Sequence, residues 1–433
     1  MGSGVTEERK GVGRSILGFS AASIIANFCY LVQALVVAKL MDPELLGLWL
    51  GLQLIHTYGR QSHLGLLNAV NRQVPFHVGR GEEDRAAHIE KVARMNLHLL
   101  TGVGLVVLIL VCSLGGFGRR TTIGVFSIGL ATLINLHMEF HVGLFKARHQ
   151  FGKASVARIV QAVSMVAGLP LVYYLQFEGL CGRGILVAAV VLAVCVKTNT
   201  RGQGLRSDWR ETVSLVRVGV PIMILSYAVA LLYTMDRVVI LRFLGKESMG
   251  HYALAVAAGG VISLFPDVIG QVFYPRMVES YARDGLSRSL IGTCARASAV
   301  GGVLAGIVCV SLFFALPWLI PIFYEKYVPG LPATRVALIA YFVLAFGAGP
   351  RYFLIATEHK RRQLGVLILA AGVSFLAGWY SSRFGLVGVA WSVVIAFTCY
   401  VAGLWALVLT AKTDSGGPSS GADATGLEVS REG

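Results

Sequence analysis

Between Ser214 and Arg283 the chain runs through two long apolar segments joined by one short polar turn, LGKES, at residues 244–248. Apolar residues surround the whole circumference of each segment, whereas a helix on a water-soluble protein confines them to one stripe. About 20 such residues cross the hydrocarbon core of a bilayer, so this hairpin is a membrane element. The first segment nevertheless carries Asp236 and Arg237, and the second carries Pro266 and Asp267. An ionisable group costs about 2.5–3.5 kcal/mol inside a span on insertion scales, and such groups turn toward protein or water. The hairpin therefore has an apolar outside and a polar inside.

The same pattern recurs along the chain. Only 14% of its residues are charged and 55% are hydrophobic, against about 25% charged in a soluble domain. Spans are expected near Ser15–Leu40, Leu45–Val70, Asn96–Leu114, Thr121–Phe145, Ala154–Leu175 and Gly184–Lys197, followed by the hairpin. Four more fall near Ala297–Leu319, Arg335–Ala356, Leu364–Trp379 and Leu386–Thr410. The fold class expected is an all-α integral membrane protein with about 12 transmembrane helices. Residues 1–200 form an N-terminal six-helix lobe with a basic leader, 201–213 a polar linker, 214–412 a C-terminal lobe, and 413–433 a disordered Gly/Ser/Asp-rich tail.

The formal charge of +15 lies in short clusters between spans and not on a basic face interleaved with stacking aromatics, so no nucleic acid is expected as a partner. Instead the lysines and arginines set topology. Alternating the connections gives one side a roughly threefold excess of them, which places both termini in the cytoplasm. Seven cysteines are scattered without a C-x-x-C pair and read as small core residues. The outward connections are short, the longest being Pro321–Pro332, which leaves no room for the catalytic pocket of a membrane enzyme. With no phosphate-binding glycine loop and no nucleophile elbow, the chain is not expected to be an enzyme or to hydrolyse ATP. Uphill transport would draw on an ion gradient, with H+ or Na+ as coupling ion and no other cofactor.

An internal repeat gives the spans an arrangement. VVAKLMDPELLGLWLGL, from Val36 to Leu52, matches VILRFLGKESMGHYALA, from Val239 to Ala255, with Gly47 opposite Gly250 and Trp49 opposite Tyr252. The following spans end in GLLNAVNRQ and GQVFYPRMV, each delivering an arginine, Arg72 and Arg276. Six spans separate the copies, so both halves start on the same side. Parallel repeats of this kind form two like-oriented lobes around a central cleft, and rocking of the lobes alternates access to it.

Polar residues inside spans mark that cleft. His56, Arg60 and His63 stand at i, i+4 and i+7, one face of a continuous helix, and a guanidinium suits phosphate or carboxylate. The alternative for Arg60 is a neighbouring carboxylate or the membrane surface. Asp236 and Arg237 point about 100° apart on a helix, so one faces the cleft while the other tethers a neighbouring helix or reaches outward; Asp236 is either a coupling site or half of a structural ion pair. Asp267, after Pro266, is a gating position. His137, Glu139 and His141 do not make an H-E-x-x-H site and read as polarity at the cleft rim.

The segment TMDRVVILRFLGKESMGHYALA, with LLGLWLGLQ, LGLLNAVNRQV followed by GRG, and FYPRM, resembles the O-antigen-type polysaccharide flippases of the MOP exporter superfamily over roughly residues 12–412. That superfamily also holds multidrug exporters and the lipid II flippase. The resemblance implies movement of an undecaprenyl-pyrophosphate-linked oligosaccharide across the bacterial inner membrane. It also implies membrane lipids, a polysaccharide polymerase and glycosyltransferases as partners. On the matching segments it places Arg60 and Arg237 on the pyrophosphate, with His56, His63, Asp236 and Asp267 as weaker additions. Span 1 lacks an acidic cluster, having Asn27 and Gln33 as its strong polar groups, and this sets the chain apart from cation-coupled drug exporters. A non-transporting component of a glycan-assembly complex is the remaining alternative.

Overall fold

The computed structural model describes residues 25–199 and 204–411, with positions 18, 22 and 23 besides. The leader, residues 200–203 of the linker and the tail from 412 onward lie outside the described residues, and so do the side chains of Asp267 and Gln271. The described elements are all helical. They are α1 (Ile25–Leu40), α2 (Pro43–Gly59), α3 (Leu66–Gly79), α4 (Glu83–Leu114), α5 (Arg119–Ala147), α6 (Phe151–Ala167), α7 (Leu169–Thr198) and α8 (Trp209–Val239). A π-helical turn, Ile240–Leu244, leads to α9 (Gly245–His251), α10 (Ala253–Ile262), α11 (Leu264–Asp284) and α12 (Arg288–Phe323). A 3-10 segment, Glu325–Gly330, precedes α13 (Leu331–Ala345), α14 (Ala348–Ala356), α15 (Lys360–Ser381) and α16 (Gly385–Thr410).

Among the described residues, eight helical stretches are long and apolar enough to cross a membrane. One of them, Lys360–Thr410, contains both α15 and α16. The burial is inverted relative to a soluble protein. In α4 only 11% of the most apolar window is covered by other protein, and in α12 only 17%. Their exposed valines and leucines, Val103, Val106, Val107 and Leu110 among them, form a surface for lipid.

Residues group into two compact units. The first comprises residues up to Ala257 plus Leu319–Gly330. Its central helix is α5, which packs against α2, α3, α4, α6 and α7. One core joins α3, α4, α5 and α8 through Val70, Val74, Ile89, Leu97, Phe140 and Leu215. A second joins α5, α6 and α7 through Val142, Phe145, Ala157 and Val191. At the basic end, Arg148 donates to Glu90 and Glu83 at 2.8 and 2.9 Å, while Arg85 pairs with the buried Glu211 at 2.6 Å. The second unit, Ala258–Trp318 and residues from Leu331, is built on α16 against α13 and α15 and on α11 against α14. Gly349 there donates its N–H to Ser298 Oγ at 3.2 Å.

Two sequence expectations are corrected. Leu45–Val70 is not one helix: the chain turns between Arg60 and Gly65, with Leu64 at φ 49° and Gly65 at φ 79°. The cause is the approach of α8, because a Cβ on Gly65 would lie 2.3 Å from the carbonyl carbon of Gly219. The boundary expected between Leu175 and Gly184 is present as a break inside α7 at Gln176, φ 47° and ψ −116°, and the chain folds back there, since a Cβ on Gly168 would lie 2.6 Å from Arg183 Cγ. Arg183, expected in an outward loop, is buried in the helical part of α7 that follows this break, where it donates to Gln33 Oε1 at 2.7 Å.

The repeat has a direct counterpart in the packing. Gly47 on α2 and Gly250 on α9, the glycines paired by the alignment, meet one another: a Cβ on Gly47 would lie 2.6 Å from Gly250 N and 1.7 Å from Lys246 O. The same end is closed by Tyr327 of the 3-10 segment, which is buried and donates to Met41 O at 3.0 Å.

Candidate functional site

The arrangement of α5 decides where charge collects. Glu139, Val142, Gly143 and Lys146 recur at the i, i+3, i+4, i+7 spacing of one helical face, and together they line a cavity of about 200 Å³. Gly143 allows the Asn71 amide to come close, since a Cβ there would lie 2.5 Å from Asn71 Oδ1. From α6 come Arg158 and Gln161, from α3 Asn68 and Asn71, and from the turn after α2 Arg60, Gln61 and His63. Ser226 of α8 completes the wall.

Three cations, Arg60, Lys146 and Arg158, therefore face one carboxylate, Glu139, leaving two positive charges in excess. Arg60 Nη2 contacts Glu139 Oε1 at 2.5 Å, and with the two side chains 48% and 25% accessible the pair is still wetted. Arg158 donates to Gln161 Oε1 at 3.3 Å and hydrogen-bonds with Tyr30 of α1. Lys146 has no ion-pair partner among the described residues. Two buried nitrogens in the wall, His63 Nδ1 and Asn68 Nδ2, also lack a partner there. Buried polar groups are almost always satisfied, so the cavity presents unspent donors beside excess positive charge. Such a set fits an anion with several acceptor oxygens.

The other candidates lie elsewhere. His56 keeps the i, i+4 register with Arg60, which caps α2 and donates its N–H to His56 O at 3.0 Å, but it lines a different cavity, and His63 leaves that face because the turn at 60–65 interrupts the helix on which all three were aligned. It accompanies Gln33, Trp49, Gln53, Asn135 and Arg183 around a second cavity of about 280 Å³. Thr132 gives its hydroxyl proton to Ile128 O at 2.7 Å, so at 2.9 Å it accepts from His56 Nδ1. Arg237 stands in the last turn of α8, away from both cavities. Asp236 beside it is buried; its carboxylate accepts the Arg237 backbone N–H at 2.8 Å and lies against the Tyr252 hydroxyl. Asp267 is on α11, with its side chain outside the described residues. Lys146, Arg158, Glu139 and Asn68 are additions that sequence reasoning did not select. The first two counted only as topology-setting charges at span ends, although the α5 spacing around Gly143 placed Lys146 on the face of Glu139. Among the described residues no group of three or more His, Cys, Asp or Glu is placed to hold a metal ion.

A family of polysaccharide biosynthesis proteins matches residues 12–281, well over half of the chain. The chain belongs to this family. A search of curated proteins returned no match. Solved structures match over nearly the whole length. One is an inward-facing multidrug resistance MATE family transporter of the MOP superfamily, with a TM-score of 0.73 at 14% identity, covering 90% of this chain and 100% of that one. The lipid II flippase MurJ in an inward closed conformation gives 0.68 at 12% identity, covering 90% and 87%. An outward-facing MATE transporter gives 0.64 at 14% identity, covering 93% and 97%. The fold is thus one shared with these membrane transporters, a multi-pass, all-helical architecture, and the resemblance drawn from the hairpin motifs holds at the level of the polysaccharide family.

Proposed function

We propose that this protein is a flippase that carries an undecaprenyl-pyrophosphate-linked oligosaccharide from the cytoplasmic to the outer leaflet of a bacterial inner membrane by alternating access between two six-helix lobes. The observation that carries the reading is the cavity on α5, where Arg60, Lys146 and Arg158 outnumber Glu139 and partnerless donors wait beside them. A pyrophosphate cannot enter hydrocarbon alone. Lined by guanidinium, ammonium, amide and imidazole groups, the cavity would replace its water while the sugars follow. The polysaccharide family supports this cargo class, and polymerase and glycosyltransferases are the partners that would receive and supply it. Arg60→Ala should abolish surface polysaccharide while the protein remains at normal abundance in the membrane. Normal polymer in that variant would remove Arg60 from the mechanism.

The MATE likeness favours one other reading, a cation-coupled exporter of small molecules. Its cargo would be cationic, and an excess of two positive charges around the cavity repels such cargo. Energy coupling, by H+ or Na+, is assigned in either reading to Asp236, the buried carboxylate of α8.

A further inference from the structure

On the face of α5 turned away from the cation cavity lies a second cluster that transport of the headgroup does not use. Successive odd positions on a helix differ by about 200°, so Glu139 points into the cavity while His137 and His141 point to the opposite side. With Arg94 and His98 of α4, Phe140 of α5, and Leu192, Val196 and Asn199 of α7, these histidines line a pocket of about 440 Å³. The His98 and His137 rings stand 4.8 Å apart. Thr101 Oγ1 meets His137 Nε2 at 2.8 Å, and Asn199 Nδ2 meets His141 Nδ1 at 3.0 Å. Arg94 is buried against the Phe140 ring, and its neighbour Glu90 is engaged by Arg148. No carboxylate lines the pocket.

We infer that this pocket binds the phosphate headgroup of an anionic phospholipid from the surrounding leaflet, at a site separate from the transport cavity. Its polar groups are cationic or neutral donors, the composition that a phosphodiester requires. Its position supplies the lipid. Arg94 and His98 stand one turn apart where the apolar run of α4 begins, Asn199 caps the same end of α7, and basic pockets between helices at that depth hold anionic headgroups. The wall continues into the exposed apolar surface of Leu99, Val103 and Val196, along which acyl chains can lie. A soluble anion would have no use for that surface.

Native mass spectrometry of the full-length chain in detergent tests the assignment, with dioleoylphosphatidylglycerol titrated against dioleoylphosphatidylcholine. The wild type should retain phosphatidylglycerol with a preference on the order of tenfold, as a charge-assisted contact gives. The double variant His98→Leu, His137→Leu keeps Arg94 and the fold, and should lose most of that preference; Arg94→Gln should lose the rest. Arg60→Ala should retain the lipid as the wild type does. Undiminished preference in the histidine variant would overturn the site. Loss in Arg60→Ala would place the bound lipid in the transport cavity instead, and displacement by excess inorganic phosphate would overturn the lipid as occupant.

Discussion

Neutralising Glu139 should tighten the binding of an anionic headgroup, while neutralising Arg60 should weaken it, and the opposite signs separate an electrostatic cavity from a structural ion pair. The cavity holds three cations and one carboxylate, so Glu139→Gln raises its excess from two charges to three. A unit charge about 6 Å from a phosphate repels it by about 0.7 kcal/mol at the dielectric of water and about 2.8 kcal/mol at an effective dielectric near 20. The pair is wetted, with Arg60 48% accessible, which selects the lower part of that range and predicts roughly 3- to 10-fold tighter binding. The stability cost should stay under about 1 kcal/mol, as for other exposed pairs. Arg60→Gln removes an attraction of similar size and a charge-assisted hydrogen bond, and should weaken binding about tenfold or more. The assay is titration of a soluble short-chain prenyl pyrophosphate into the detergent-purified protein at low and high salt, where screening should shrink both effects. If Glu139→Gln weakens binding as Arg60→Gln does, the pair serves the fold and the charge argument fails.

Gly65→Ala should destabilise the protein in detergent by about 2–3 kcal/mol, since it combines a positive φ with forced backbone separation; its melting temperature reads this, and a value equal to wild type would refute the contact with Gly219. Asp236→Asn should abolish gradient-dependent flux in reconstituted vesicles while headgroup binding persists. Flux that still follows the gradient would take Asp236 out of coupling.

How much of this was written legibly in the sequence depends on the element. The hairpin from Ser214 to Arg283 disclosed a membrane protein because nothing but lipid covers so much apolar surface, and its motifs led to the polysaccharide family. Gly47 and Gly250 were paired by alignment alone and meet in the structure, where neither leaves room for a side chain. Arg60 was legible as an arginine too costly to leave in lipid. Its partner was not, because Glu139 is 79 positions away and only the packing of α5 against α2 joins them. The single face of His56, Arg60 and His63 failed for a related reason: Gly65 breaks the helix to let α8 approach, and that approach is tertiary. Lys146 and Arg158 looked like surface charges at span ends, which is where charge ordinarily sits, and only the depth of the cavity distinguishes them. Arg183 was misplaced because GLCGRGI reads as a turn, while α7 carries those glycines through a buried helix.

The central claim is that the cations around α5 hold a pyrophosphate. An electron cryomicroscopy structure of the full chain with a lipid-pyrophosphate-linked oligosaccharide tests it most directly. The account predicts phosphate density within hydrogen-bonding reach of Arg60, Lys146 and Arg158, next to His63 and Asn68; a headgroup resolved elsewhere, with that cavity holding only water, would contradict it.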